Sequence, residues 1–244
     1  MTKVVVKYLA NPGRVMRWLG FMAPFVACLG ALTIATGLYY SLLYSPADYL
    51  QGDLVRIMYV HVPSSWWALG VYTVMAIASA FGFVMKNPFM GYVTRALAPV
   101  GASFALVSLV TGAIWGKPTW GTWWVWDARL TSMLLQFMLY IGYILLVRTG
   151  SPPKNYQVAG VLTMVGWINV PIIKWSVDWW YSLHQPSSIN LFSKSSVHAD
   201  MLTPLFLMAA AFACYGFIVF YWRLQKLLPK AKPSLTSVEQ SKAA

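Results

Sequence analysis

The sequence predicts an all-α integral membrane protein, a six-transmembrane-helix bundle with a tryptophan-rich extracytoplasmic loop. Of its 244 residues, 59% are hydrophobic and only 10% are charged, whereas about a quarter of the residues in a soluble domain are charged. The charged residues lie in short segments between long apolar stretches. This pattern excludes a disordered chain, a disulfide scaffold and an ordinary soluble enzyme. The formal charge of +12 fits the basic loops of a membrane protein better than nucleic-acid binding.

Six stretches of 18 to 30 residues carry no charged side chain. A helix needs about 20 apolar residues to cross a hydrocarbon core of about 30 Å. Because there is no seventh stretch of that length, we predict one membrane domain over residues 1–244, with six spans placed to within a few residues. The spans lie near residues 19–40, 66–85, 96–115, 131–147, 158–175 and 202–221.

The distribution of charge predicts the orientation in the membrane. An even number of spans puts both termini on one side, and that side carries 13 of the 18 Lys and Arg residues but only one of the six acids. Positive charge is enriched in cytoplasmic loops. We therefore expect cytoplasmic N- and C-termini, and we expect the polar, Pro-containing segment 227–244 to be a mobile cytoplasmic tail.

Tryptophan and histidine are concentrated on the predicted outer face, which holds ten of the 13 tryptophans and all three histidines. Aromatic belts form at both membrane interfaces, so a belt alone would divide the tryptophans more evenly. Pro63 is tolerated in the first turn of a helix and places His61 near the outer end of the second span. His184 lies in the last outer loop. His198 directly precedes the sixth span, and we interpret it as a structural residue at a helix start near Asp200.

The segment 115–132, which reads W-G-K-P-T-W-G-T-W-W-V-W-D-A-R-L-T-S, is the predicted tryptophan-rich loop. It holds five tryptophans within twelve residues, and each ring removes roughly 150–250 Å² from water when it is covered. Leaving all of them in water would be costly. Gly116, Pro118 and Gly121 argue against one continuous helix at the start of the segment.

The second half of this loop has helical spacing. Spacings of three and four put Trp123, Trp126 and Leu130 along one face if this part is helical. Such a face would lie flat on the bilayer or cover a flat ligand. Asp127 either caps the next helix or pairs with Arg129, and a direct role in ligand docking is a further interpretation.

The stretch W-G-T-W-W-V-W-D-A-R-L-T resembles the WWD motif of membrane proteins that handle haem in cytochrome c maturation. The six spans, M-Y-V-H-V-P-S-S-W-W around His61 and W-W-Y-S-L-H-Q-P-S-S around His184 are similar to the haem exporter C family within that group. The resemblance covers most of the chain, and the motif is long and rare. It implies a haem-binding, haem-delivering, multi-pass protein of the bacterial inner membrane.

The resemblance also implies a ligand and partners. A b-type haem would bind transiently at the periplasmic face against the motif loop, with His61 and His184 as the axial ligands of the iron. It would then pass to a membrane-anchored periplasmic haem chaperone. An ABC transporter complex, with ATPase and permease subunits and a small accessory membrane subunit, would release the loaded chaperone. His198 matches no position of the family and is left out of the ligand set.

The residue types suit such a cargo. Neutral imidazole is a good iron ligand, and two imidazoles from separate outer segments can approach opposite faces of a haem. Tryptophan gives broad, rigid apolar surface, and arginine pairs bidentately with carboxylates such as the propionates. Besides the two histidines, the predicted contact residues are Trp115, Trp120, Trp123, Trp124, Trp126, Asp127, Arg56 and Arg129.

Other classes of function are less well supported. The sequence has no protease, kinase or glycosidase constellation, so we expect binding and transfer rather than catalysis. A multi-pass transporter, or an ABC permease-type subunit exporting haem, is the alternative. A transporter needs polar or charged groups within its spans, and the six predicted spans carry no charge inside their apolar stretches. An electron carrier with b-type haem would place histidines within the bundle rather than on one outer side.

Overall fold

The computed structural model describes residues 11–150, 154–184 and 197–228. In these ranges six helical stretches are long and apolar enough to cross a membrane, which confirms the predicted fold class. They consist of α1 (Pro12–Tyr39) with a π-helical turn (Tyr40–Tyr44), a 3-10 turn (Asp53–Ile57) leading into α2 (Met58–Val84), α3 (Phe89–Trp120), α4 (Ala128–Thr149), the consecutive α5 (Lys154–Gly166) and α6 (Asn169–Trp179), and α7 (Ala199–Leu227).

The helices are longer than the predicted spans at nearly every end. The predicted spans stop where charged residues begin. The helices extend beyond the hydrocarbon core, so their ends include charged residues. Arg56, Lys117 and Lys174 all lie within helical stretches. The predicted tail falls largely outside the described residues, because the description ends at Leu228.

Helix α2 lies at the centre of the bundle and packs against α3, α5 and α7. Buried tyrosines join neighbouring helices: the Tyr140 hydroxyl donates to the Ala68 carbonyl at 2.6 Å, and the Tyr143 hydroxyl donates to Thr94 Oγ1 at 2.6 Å. Hydrogen bonds of this kind help to fix helix pairs in lipid, where burial of apolar surface gives little drive to associate. Helix α1 packs chiefly on α7 and is exposed over most of its surface.

The fifth membrane crossing is broken between α5 and α6. Trp167 and Ile168 form a turn, and Pro171, which has no N–H to donate, lies just beyond it. The side-chain amide of Asn169 donates to the Ser132 carbonyl of α4 at 2.9 Å. A polar side chain thus ties the break to the neighbouring helix, and α6 carries the chain from there toward His184.

The predicted interruption at Gly116 and Pro118 is wrong. Helix α3 continues through both residues and ends at Trp120. It ends there because Gly121 has φ = 78°, a left-handed conformation that favours glycine, and the Gly121 N–H donates to the Lys117 carbonyl at 3.0 Å. Pro118 lies in the last turn, where the hydrogen bond that it removes is close to the helix end.

The predicted helical face of Trp123, Trp126 and Leu130 is also wrong. Residues 121–127 are not helical, and α4 begins only at Ala128. The loop proper is therefore the seven residues 121–127, shorter than the predicted 115–132 because both neighbouring helices extend into that segment.

Candidate functional site

His61 lies in the first turn of α2, at the end of the bundle that carries the tryptophan loop. Pro63 falls in the second turn rather than the first, because α2 already begins at Met58. The His61 Nδ1 atom is 3.0 Å from the Ser108 carbonyl oxygen and 3.1 Å from Thr111 Oγ1. A carbonyl oxygen only accepts, so Nδ1 carries the proton and donates it to Ser108. The Nε2 atom keeps its lone pair and is the nitrogen able to bind a metal.

Helix α3 shapes the space around the His61 ring. A Cβ atom at Gly112 would lie 2.9 Å from His61 Cε1, so glycine at this position makes room for the imidazole. One turn further, the Trp115 ring stands edge-on to the His61 ring, with 5.8 Å between centroids. The Trp115 Nε1–H donates to Gln51 Oε1 at 2.8 Å, which holds the indole in place.

His184 lies in the non-helical residues 180–184 that follow α6. Its Nδ1 atom is 3.2 Å from Asp127 Oδ2, and its backbone N–H donates to Ser182 Oγ at 3.1 Å. The Ser182 hydroxyl donates in turn to the same Asp127 oxygen. The Trp120 ring lies 4.7 Å from the His184 ring between centroids. The second predicted ligand is thus held by the motif aspartate and covered by a motif tryptophan.

Asp127 uses its two oxygens differently. Oδ1 accepts the Leu130 backbone N–H at 2.7 Å as the N-cap of α4, which confirms the predicted cap. Oδ2 accepts from Ser182 and His184. Burial alone would raise the pKa of Asp127, but the hydrogen bonds from Ser182, Leu130 and His184 outweigh burial and hold that pKa below its ordinary value. The side chain is therefore an anion at neutral pH.

The His184 imidazole is neutral at neutral pH. Burial lowers its pKa and Arg129 acts in the same direction, while the Asp127 carboxylate opposes them, and the net pKa lies below the ordinary 6.5. The contact with Asp127 is therefore a hydrogen bond from a neutral ring rather than an ion pair. Because the ionised carboxylate only accepts, Nδ1 carries the proton and Nε2 is left with its lone pair.

The fold brings the two histidines to the same end of the bundle. His184 lies within electrostatic range of His61, and Arg129 lies within that range of both rings. Arg129 contacts α6 through its Nε atom, 3.4 Å from Ser176 Oγ, and its Nη2 atom, 3.3 Å from the Lys174 carbonyl oxygen. Three predicted site residues from three different elements therefore lie at this end of the bundle.

Arg56 has other contacts. Its Nε atom is 2.9 Å from Asp53 Oδ1, and its Nη1 atom donates to the Ser41 carbonyl at 2.7 Å. The bond to Asp53 lies within the 3-10 turn, and the bond to Ser41 joins that turn to the π-helical turn after α1. Within the described part of the chain, the Arg56 hydrogen bonds go to Asp53 and Ser41 rather than to either histidine, so its predicted haem contact lacks the support that Arg129 has.

The loop tryptophans leave apolar surface uncovered. Trp126 is 76% exposed and Trp123 is 56% exposed. Trp124 is half-buried, with its ring 5.4 Å from the Trp126 ring between centroids. Its indole N–H is buried and makes no hydrogen bond to any described residue. The loop therefore offers flat aromatic surface directly before Asp127 and holds one buried donor without a described partner.

Comparison with known proteins identifies the family. Residues 5–238 match the family model described as Heme exporter protein C. The chain belongs to this family. Heme exporter protein C of Bradyrhizobium diazoefficiens is 46% identical over 205 residues, covering 84% of this chain and 78% of that protein. The same-named protein of Haemophilus influenzae is 43% identical over 213 residues (87% and 85%), and that of Escherichia coli K12 is 39% identical over 212 residues (86% and 83%).

Membership of the Heme exporter protein C family implies a role in haem transport and cytochrome c maturation. It implies a multi-pass protein of the inner membrane that works within a membrane complex, in a family of transport and maturation proteins rather than enzymes. The six apolar helices agree with this placement.

The sequence interpretation missed the residues that hold the two histidines in place. One signal was available, because the residues that meet His61 recur along α3 at spacings of three and four. Ser182, which holds His184, lies outside any helix and had no such pattern. His198 was correctly interpreted, since its Nδ1 accepts the Asp200 N–H at the start of α7. The missed residues are Gln51, Ser108, Thr111, Gly112 and Ser182.

Proposed function

We propose that this protein holds a b-type haem transiently at the periplasmic face, between His61 and His184, and passes it to a membrane-anchored periplasmic haem chaperone. One observation carries the proposal. Each imidazole donates its Nδ1 proton to an oxygen, His61 to Ser108 and His184 to Asp127, which leaves both Nε2 atoms as neutral ligands. Two neutral imidazoles at one end of the bundle suit an iron that a porphyrin already holds in four positions.

The neighbouring residues supply the other contacts that a haem needs. The macrocycle requires apolar cover and its propionates require cations. Indoles beside the histidines and on the loop provide cover, and Arg129 is a cation within range of both rings. Arg56 would have to exchange a contact with Asp53 or Ser41 to reach a propionate. The full set of proposed contacts is Trp115, Trp120, Trp123, Trp124, Trp126, Asp127, Arg56 and Arg129.

The open loop favours transfer over permanent storage. A protein that delivers haem must bind it while leaving one edge within reach of an acceptor. Trp123 and Trp126 are exposed rather than packed into a closed pocket, so a bound macrocycle would keep an accessible edge. We place the protein beside the ATPase and permease subunits of an ABC transporter and a small accessory membrane subunit. Family membership, which implies a membrane complex, supports this assignment.

The alternative of haem passing through this chain has no observation in its favour. The centre of the bundle is filled by large side chains, and Tyr72, Tyr140 and Tyr143 are fully buried. A transport path needs polar groups along a route across the membrane. Among the described residues the charged side chains lie near the helix ends rather than along such a route.

The first prediction tests the ligands. Purified full-length protein supplied with haemin should give the optical spectrum of low-spin, six-coordinate haem. We expect His61→Ala and His184→Ala each to lose that spectrum and to lower haem occupancy by more than roughly tenfold, because each removes an iron ligand. His198→Ala is the matched control and should behave as wild type. Unchanged spectra and occupancy in both ligand variants would show that the assignment is wrong.

A further inference from the structure

The Asp127 carboxylate makes more contacts than a helix cap requires. Its Oδ1 atom accepts the Leu130 N–H, and this bond alone satisfies the cap. Its Oδ2 atom accepts from two further donors, the Ser182 hydroxyl and His184 Nδ1. Serine or asparagine would cap α4 equally well, so the cap does not explain the second oxygen.

Ser182 connects the backbone of the ligand segment to that second oxygen. Its Oγ atom donates to Asp127 Oδ2 and accepts the backbone N–H of His184 at 3.1 Å. Its Oγ also lies 3.5 Å from His184 Nδ1. The serine therefore fixes both the position of the His184 backbone and the direction of the carboxylate.

We propose that Asp127 and Ser182 are a positioning pair for His184, which fixes the Nδ1–H tautomer and aims Nε2 at the haem iron. The inference rests on the proposed function, since it assigns how one ligand of that site is held. A carboxylate that accepts from a ligating histidine orients the ring and makes its other nitrogen a stronger donor. His61 donates instead to the neutral Ser108 carbonyl. The two ligands are therefore unequal, and His184 is the stronger donor.

The decisive variant is Asp127→Asn. Asparagine caps a helix as well as aspartate does, so α4 keeps its first turn. Its side chain can present an NH₂ group where Oδ2 was, and that group would favour the tautomer with the proton on Nε2, which cannot ligate iron. Loss of such a partner lowers metal affinity on the order of 10–100-fold.

The experiment titrates haemin into the purified full chain and records affinity, the low-spin spectrum and the reduction potential. We expect Asp127→Asn to lower haem affinity 10–100-fold and to give residual haem the spectrum of the His184→Ala protein. Ser182→Ala should lower affinity less. It should raise the potential of the haem that stays bound, because a less firmly oriented carboxylate makes His184 a weaker donor. A purely structural role would lower protein yield without changing the spectrum or potential of bound haem.

Asp200→Asn is the matched control, because Asp200 also faces a histidine Nδ1, that of His198, at 3.6 Å. It should leave affinity, spectrum and potential unchanged. If Asp127→Asn fails to insert, Ser182→Ala decides, since Ser182 lies outside the helices. Wild-type affinity, spectrum and potential in the inserted variants would overturn the positioning pair alone. A wild-type protein that takes up no haem would overturn the proposed function, and the pair with it.

Discussion

Hydrogen bonding at Nδ1 sets the chemistry of both histidines. A free imidazole exchanges its proton between two nitrogens, but an acceptor oxygen beside Nδ1 selects one tautomer. His61 has the Ser108 carbonyl at 3.0 Å and His184 has Asp127 Oδ2 at 3.2 Å. The first acceptor is a backbone carbonyl within α3, and the second is the side chain of the residue that caps α4. The ring directions are therefore decided by the fold rather than by the ligand that arrives later.

The His61 ring occupies space that only a glycine at position 112 leaves open. We predict that Gly112→Ala displaces the imidazole, because the new Cβ would lie 2.9 Å from Cε1. Overpacking of this kind costs about 1–3 kcal/mol. Haem occupancy and the low-spin signal should fall, while membrane insertion stays normal.

Gly70→Ala is the control for this substitution, since Gly70 lies in the same helix as His61 and its new Cβ would lie an ordinary 3.8 Å from Trp67 Cε3. Equal haem binding in the two alanine variants and the wild type would contradict the role of Gly112.

At the scale of elements, the outer end of α3 organises the site. Its successive turns accept the His61 proton, make space for that ring and place Trp115 beside it. Its last residue, Trp120, contacts His184. The loop then returns within seven residues to Asp127, which caps α4. A continuous helix thus contacts both predicted ligands.

The exposed rings of the loop should serve haem rather than the membrane interface alone. We predict that Trp126→Ala and Trp123→Ala lower haem occupancy several-fold without affecting insertion, because each removes part of the roughly 150–250 Å² that an indole can cover. Trp222→Ala is a matched control, since Trp222 is 59% exposed but lies in the last turns of α7, away from the loop. If all three variants bind haem equally, the loop is an interfacial belt.

The sequence predicted the features that follow from local composition. Because membrane spans must be apolar, their number could be predicted from the sequence. An aspartate before an apolar run is likewise a recognisable helix cap. The contact between Asp127 and His184 joins residues 57 apart and has no local signature. The contacts of Arg56 with the turn after α1 likewise depend on how helices pack. The sequence and its family resemblance supplied the candidate residues, whereas their arrangement required the fold.

At the scale of the whole molecule, acidic and basic side chains are unevenly divided between the two ends of the bundle. The five described acids, Asp48, Asp53, Asp127, Asp178 and Asp200, lie at the end that holds the histidines. Arg95, Arg148 and other cations occupy the opposite end. Cytoplasmic segments are the more basic ones, so we expect the histidine end to face the periplasm, where a periplasmic acceptor would meet it.

The last prediction tests that orientation. A fluorescent reporter that folds only in the cytoplasm, fused at the C-terminus, should be active, because an even number of spans and the location of 13 of 18 basic residues predict that both termini lie inside. A phosphatase reporter active only in the periplasm should be active when fused within residues 45–52, between the first two spans, and inactive at the C-terminus. The reverse pattern would put the histidines in the cytoplasm, and a site that loads a periplasmic chaperone would then be impossible even if both histidine variants lost haem.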